Sequence, residues 1–231
     1  MGFLEQQSIR WLALDIDGTL YPPRMLNARM VRSTFPSPRL AFAFNWARRE
    51  YRRVQEHVPT DPPSREGLLE RQATMVAQRL GQSDVPKIRE RIERQFYQSW
   101  ARSFLSIKAF SDLRTTLETV KEAGLKIALF SDFPIEQKPA TLEIADLVDF
   151  AITSEESGYL KPSKHAFELL LQHIDAAPSE ILYVGDSYTK DCQGAKQAGM
   201  HAALLGKRPH SQAPDADLVA ATWKELAALI L

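Results

Sequence analysis

Apolar residues along this chain fall into two patterns, which change over near residue 105. Short unbroken apolar runs occur at Trp11-Leu12-Ala13-Leu14, Ile127-Ala128-Leu129-Phe130, Phe150-Ala151-Ile152-Thr153, Ile181-Leu182-Tyr183-Val184 and Ala202-Ala203-Leu204-Leu205. None has a polar face and turn residues bound them, so they predict buried strands. Leu218-Val219 allows a further short edge strand. Between the runs, apolar residues recur at helical spacing. Ser111 precedes Leu113, Leu117 and Val120, with Gly124 as a stop, and Pro162-Ser163 precedes Phe167, Leu170, Leu171 and Ile174. A third helix passes through Ala195 to Gly199, and Thr222-Trp223-Lys224-Glu225 fits a capping box opening a last one. Strands linked by helices in this way predict a mainly parallel sheet covered on both faces.

Residues 21–105 carry the other pattern. They read as long amphipathic helices over about 39–57, 64–80 and 84–105, the second ending at Gly81 and the third with Pro86 near its first turn. The breaks are Pro36-Ser37-Pro38, Pro59-Thr60-Asp61-Pro62-Pro63 and Gly81-Gln82-Ser83. The expected fold is therefore a three-layer, Rossmann-like α/β core from 1–20 and 106–231, with an all-helical cap from 21–105. Inserted directly after the first strand, the cap is expected above the carboxyl end of the sheet.

Composition narrows the function classes. The 231 residues include 44% hydrophobic and 25% charged positions, as in an ordinary globular protein. Its 29 basic residues balance 29 acidic ones, so no global charge favours nucleic acid or an anionic membrane surface. No apolar stretch approaches the roughly 20 residues that span a bilayer. Residues 1–10 are too polar for a secretory signal, and Gly2 lacks the Ser or Thr of a myristoylation site because Gln6 stands there. The single Cys192 rules out an intrachain disulfide framework, fits a reducing compartment and has no His partner nearby in sequence. The expected setting is cytoplasmic. His57, His165, His173, His201 and His210 show no zinc-ligand spacing.

The chemistry gathers at strand ends. Asp15 and Asp17 close the first strand ahead of Gly18, where ligands of open α/β sheets collect. Two such carboxylates repel unless a cation or a proton lies between them, which leaves a metal site, an acid/base pair, or both. The plainer alternative is an aspartate turn that caps a helix. Three other exits carry suitable groups: Ser131-Asp132, Lys161-Pro162, and Gly185-Asp186 through Asp191. A parallel sheet brings such ends to one rim.

In order and spacing these four segments resemble the motifs of the haloacid dehalogenase superfamily, in its branch with a helical cap after the first strand. The resemblance implies that Asp15 is the nucleophile that forms an aspartyl-phosphate and that Asp17 is the acid/base. It implies a Mg²⁺ held by Asp15, the backbone carbonyl of Asp17 and Asp186, with Asp191 outside it and able to orient Lys161. Ser131 and Lys161 would bind the phosphate oxygens. Asp132 fits the same phosphate loop or stabilises its turn, and Thr19 supports the first loop. Family dehalogenases expel halide, which needs no proton, and do without the second aspartate. Asp17 therefore points to phosphoryl transfer.

The expected activity is a magnesium-dependent phosphatase acting on a small phosphorylated metabolite. Two alternatives are a phosphomutase using the same intermediate and a regulatory protein that binds a phosphorylated ligand with little turnover. Tyr21 and Arg24, in the flap after the first motif, are candidates for specificity. Arg48, Arg49, Arg52 and Arg53 form either an anion clamp or, as the preferred reading, a solvated helix face.

Overall fold

The computed structural model describes residues 2–25, 37–57 and 63–231. The breaks expected at Pro36 and at 59–62 lie outside them. Strands β1 (Trp11–Leu14), β2 (Lys126–Ser131), β3 (Phe150–Thr153), β4 (Ile181–Gly185), β5 (His201–Leu205) and β6 (Leu218–Ala220) form one sheet. Its order is β3-β2-β1-β4-β5-β6, with every neighbouring pair parallel. The chain runs from β1 outward through β2 to β3, then crosses to the far side of β1 at β4. That reversal opens a crevice at the carboxyl ends of β1, β2 and β4, the usual place for a ligand in such a sheet.

Strand parity builds two cores from one sheet. Leu12, Leu14, Ile127, Leu129, Leu182 and Val184 enter one apolar cluster. Trp11, Ala13, Ala128, Phe130, Ile181 and Tyr183 enter the other. Alternate side chains of a strand point to opposite faces, so runs with no polar position can only be covered on both sides. Helices supply the cover, which gives the three-layer α/β fold expected from the sequence. Leu218–Ala220 is the edge strand foreseen there.

Three helix starts differ from expectation. The helix Leu113–Glu122 has Asp112, not Ser111, at its N-cap position. In the last helix, Trp223–Ile230, Thr222 Oγ1 accepts the Glu225 N–H, while Glu225 reaches back to the N–H of Ala221 instead of that of Thr222. After β4, a wide π-helical turn over Tyr188–Gln193 replaces the first part of the expected helix. Ser187 caps that turn and donates its own N–H to Asp191, so the turn is tied to the aspartate it carries.

The segment between β1 and the core helix at Leu113 is helical where it is described. Pro38–Val54 packs on Arg65–Leu80, which in turn packs on Val85–Ile92, and that helix continues through a π-helical stretch, Glu93–Gln98, to Ser99–Phe104. Ser64 and Asp84 cap their helices as the sequence suggests, and Gly81 takes the left-handed conformation that ends the second. Leu40, Phe44, Val76, Ile88, Ile92 and Phe96 form a separate apolar cluster. The π-helical stretch turns consecutive residues inward: Phe96 stacks on Phe44 at 4.8 Å, and Tyr97 donates to Glu155 at 2.8 Å.

The helix Pro38–Val54 lies against two of the strand exits. Arg48 is 3% exposed and is neither an anion clamp nor part of a solvated face. It donates to Glu155 at 2.7 Å, to Tyr97 at 3.1 Å and to the carbonyl of Asp132 at 2.6 Å. Arg52, one turn on, donates to the Asp132 carboxylate at 2.8 Å and to the carbonyl of Lys161 at 3.2 Å. Gln55 bonds the Leu160 carbonyl and N–H. Arg49 and Arg53 do face solvent, Arg53 paired with Glu50. Helical spacing alone could not separate the two pairs, because both neighbouring faces carry arginines.

Breaking a buried ion pair by removing one partner leaves an uncompensated charge and costs about 3–5 kcal/mol. Arg48→Met, which strips Glu155 of its shortest cation contact, should therefore lower stability by about 3 kcal/mol. The midpoint of urea unfolding reads this. An unchanged midpoint would mean the pair contributes nothing net.

Candidate active site

Asp15 directly follows β1 and is buried. Its carboxylate accepts from Lys161 Nζ at 2.7 Å on one oxygen and from Thr19 Oγ1 at 2.9 Å on the other. Thr19 is itself held, since its carbonyl accepts the Trp223 indole N–H at 2.9 Å. The last helix thus pins the first loop. Gly18, at φ +102, supplies the backbone turn, and a Cβ there would run into the Asp186 carboxylate. Gly185 has the same relation to Asp191. The first glycine lets the β1 and β4 exits come together, and the second lets the turn after β4 fold back on its own strand.

Lys161 arrives from the connection after β3. Its fully buried ammonium donates to Asp15 and to Asp191, each at 2.7 Å, and to the Tyr183 hydroxyl at 2.9 Å. Burial opposes its charge, but Asp15 and Asp191 outweigh that and hold its pKa well above the ordinary lysine value. For Asp15, burial is the larger effect. It pushes the carboxyl up to about 7, with Lys161 pulling down and Asp191, Asp17 and Asp186 pushing further up.

Asp17 lies in a different setting. Its carboxylate accepts from Tyr21 at 2.6 Å, from Ser131 at 3.1 Å and from Lys138 at 2.9 Å on both oxygens. Burial alone would raise its pKa. Lys138 and the hydroxyls of Tyr21 and Ser131 outweigh burial and hold it below the ordinary carboxylate value. Ser131, the last residue of β2, also accepts the Phe133 N–H at 3.1 Å, which fixes its hydroxyl.

Each residue expected from the sequence can now be located. Asp15, Thr19, Lys161 and Asp191 form one connected group, and Asp17, Tyr21 and Ser131 form a second beside it. Asp132 belongs to neither. Its carboxylate accepts from Ser154 at 2.7 Å, the Lys161 N–H at 3.0 Å and Arg52, and the charges of Arg52, Lys161 and Arg48 hold its pKa far down against burial. It braces the loop beneath the helix Pro38–Val54. Tyr21 is fully buried, with its hydroxyl on Asp17 and its ring edge-to-face with Phe104 at 5.3 Å. Arg24 is exposed.

The structure also assembles residues that the motifs do not mark. Tyr183 reaches Lys161 because β4 parity turns it toward Phe130, a placement that becomes visible once sheet order is known. Lys138 opens the short helix Lys138–Thr141, whose 4 residues are too few to give a periodic signal.

Three carboxylates, from Asp15, Asp186 and Asp191, each offer an oxygen, and these oxygens lie within 4.8 Å of one another. Clustered carboxylate oxygens suit a small hard cation such as Mg²⁺. Asp191 is already committed to Lys161 on one oxygen and to the Ser187 N–H on the other. Asp186 has no hydrogen bond to its carboxylate among the described residues and is the freer donor.

Comparison with known proteins agrees with this geometry. The family model for haloacid dehalogenase-like hydrolases matches residues 9–199. Over 129 residues the chain is 32% identical to a ribulose-1,5-bisphosphate 5-phosphatase of Halopiger xanaduensis, covering 54% of each chain, so it spans about half of that relative's length. Over 200 residues it is 28% identical to a glyceraldehyde 3-phosphate phosphatase of Methanopyrus kandleri, covering 83% of this chain and 82% of the relative. Its fold matches that of the magnesium-bound HAD-hydrolase YfnB of Bacillus subtilis with a TM-score of 0.64 at 16% identity, covering 95% of this chain and 97% of that one. With four strand exits converging as they do and the family model spanning most of its length, this chain belongs to the haloacid dehalogenase-like hydrolases.

Proposed function

We propose that this chain is a magnesium-dependent phosphatase that hydrolyses a small phosphomonoester through an aspartyl-phosphate on Asp15. The observation that carries this reading is the pairing of Asp15 with Asp17. The first is held by Lys161 and Thr19, and the second, two residues on, is held on the side of Ser131. A hydrolase that transferred only halide would gain nothing from the second carboxylate. The phosphatases among its relatives support the same class of substrate.

In the first step Asp15 attacks phosphorus and the bond to the ester oxygen breaks, with Asp17 giving that oxygen a proton. In the second, Asp17 takes a proton from water, which attacks phosphorus and frees Asp15. To act as donor, Asp17 must first take up a proton and release Lys138. Ser131 and Lys161 bind the phosphate oxygens, where negative charge spreads in the transition state. Asp15, the backbone carbonyl of Asp17 and Asp186 are the candidates to hold Mg²⁺, with Asp191 behind them. When bound, the ion supplies charge neutralisation between nucleophile and ester. We assign residues 1–20 and 106–231 to the catalytic core and 21–105 to a cap that screens it from water.

Asp15→Asn should reduce Mg²⁺-dependent phosphate release to background, and a rate near that of the unaltered protein would remove the nucleophile assignment. Asp17→Asn should slow turnover by about 10²–10⁴ with an unchanged circular dichroism spectrum; a normal rate on several substrates would deny it the proton-transfer role. Exhaustive chelation should abolish activity and added Mg²⁺ should restore it. Full activity after chelation would contradict metal dependence.

A further inference from the structure

Beside Asp17 lies a cavity of about 220 Å³ between the helical segment 93–104 and the stretch 133–138, which runs from the end of β2 into the helix Lys138–Thr141. Asp17 and Lys138 form one end, and Tyr97, Trp100, Phe104 and Phe133 line much of the rest. Trp100 and Phe133 meet edge-to-face at 5.2 Å, and Trp100 packs at 5.4 Å on Phe96, so these walls are part of the apolar cluster of the cap. The segment carrying Tyr97 is the π-helical stretch, a distortion frequent at functional sites.

Position ties this cavity to the ester. Asp17 touches Ser131 on the phosphate side and lines the cavity as well. A proton passed from Asp17 goes to the oxygen that links phosphorus to the rest of the substrate. Whatever that oxygen carries therefore occupies the cavity.

Charge and size then limit what it carries. Two cations line the cavity: Lys138 pairs with Asp17 at 2.9 Å, and Arg65 lies more loosely, 3.5 Å from Glu155 and 3.7 Å from Glu156. Glu93 and Glu136 add negative charge. With Asp17 this sets three carboxylates against two cations in the lining, so a second phosphate or a carboxylate meets no excess of positive charge, even once Asp17 is protonated. A chain of hydroxyls could bond only at the polar part of the lining, such as Gln98 and Gln137, and elsewhere would meet Trp100, Phe104, Phe133, Pro134 and Ile135, at a cost for each hydroxyl left without a partner. An apolar cavity of ~150 Å³ accepts benzene, so this one holds a single ring with small substituents.

We infer that the substrate is the phosphomonoester of an uncharged alcohol built on one flat aromatic or heteroaromatic ring, with the ring seated against Trp100, Phe104 and Phe133. This deepens the phosphatase reading and rests on it. The ring class also sets this chain apart from the sugar phosphates named for its relatives.

The test compares kcat/KM for benzyl phosphate, glycerol 1-phosphate and ribulose 1,5-bisphosphate, with Mg²⁺ present and the full chain. Benzyl alcohol and glycerol are comparable leaving groups, so the ratio reports recognition. Benzyl phosphate should exceed each of the others at least tenfold, in line with the ~10–200-fold a hydrophobic pocket resolves. Trp100→Ala should lower the benzyl-to-glycerol ratio at least fivefold. Measured on one preparation, that ratio does not depend on how much of the variant is folded. Equal or lower kcat/KM for benzyl phosphate, with the other esters turned over, overturns the ring class and leaves the phosphatase reading standing. So does an unaltered ratio in Trp100→Ala. No turnover of any ester overturns both.

Discussion

A fully buried ammonium organises this molecule. Lys161 has given up water entirely, and taking such a charge into a protein costs several kcal/mol unless carboxylates meet it. Asp15 comes from the end of β1, Asp191 from the turn after β4, and Tyr183 from β4 itself. The lysine arrives after β3. Its need for partners therefore draws four pieces of chain to one rim, and the parallel order of the sheet makes that convergence possible. Without the lysine, the aspartates at that rim would repel one another with nothing between them.

The two aspartates of the first loop are set apart by their surroundings. Burial and neighbouring carboxylates push Asp15 toward its neutral form, while Lys138 and two hydroxyls keep Asp17 charged. Carboxylates in contrasting environments are how one site obtains contrasting roles. Here the resting preference runs against the chemistry proposed for each, because a nucleophile must be ionised and a proton donor must not be. Positive charge beyond Lys161 has to favour the first. Release from Lys138 has to precede the second.

Much of this was legible in the letters. Uninterrupted apolar runs such as Ile181–Val184 announce buried strands, and polar residues stationed just after them announce the rim. That Asp15, Ser131, Lys161 and Asp186 all stand at that rim follows from motif order, which sequence carries directly. What escaped depends on three-dimensional neighbours. Arg48 and Arg49 are adjacent in the chain, yet one is buried against Glu155 and the other faces water. Tyr21 stands where a flap residue would touch substrate, yet its hydroxyl is spent on Asp17. Lys138 opens a helix of only 4 residues, too short to show a periodic signal. Local spacing cannot encode any of these.

Asp132 has a consequence for how the two layers communicate. Its carbonyl and its carboxylate are gripped by Arg48 and Arg52, while the residue before it contributes the Ser131 hydroxyl and its carboxylate holds the N–H of Lys161. A single rigid rod is thus bolted to two of the strand exits at once. Any tilt of that rod would pass to both as displacement, so the settings of the Ser131 and Lys161 exits are one mechanical variable, not two.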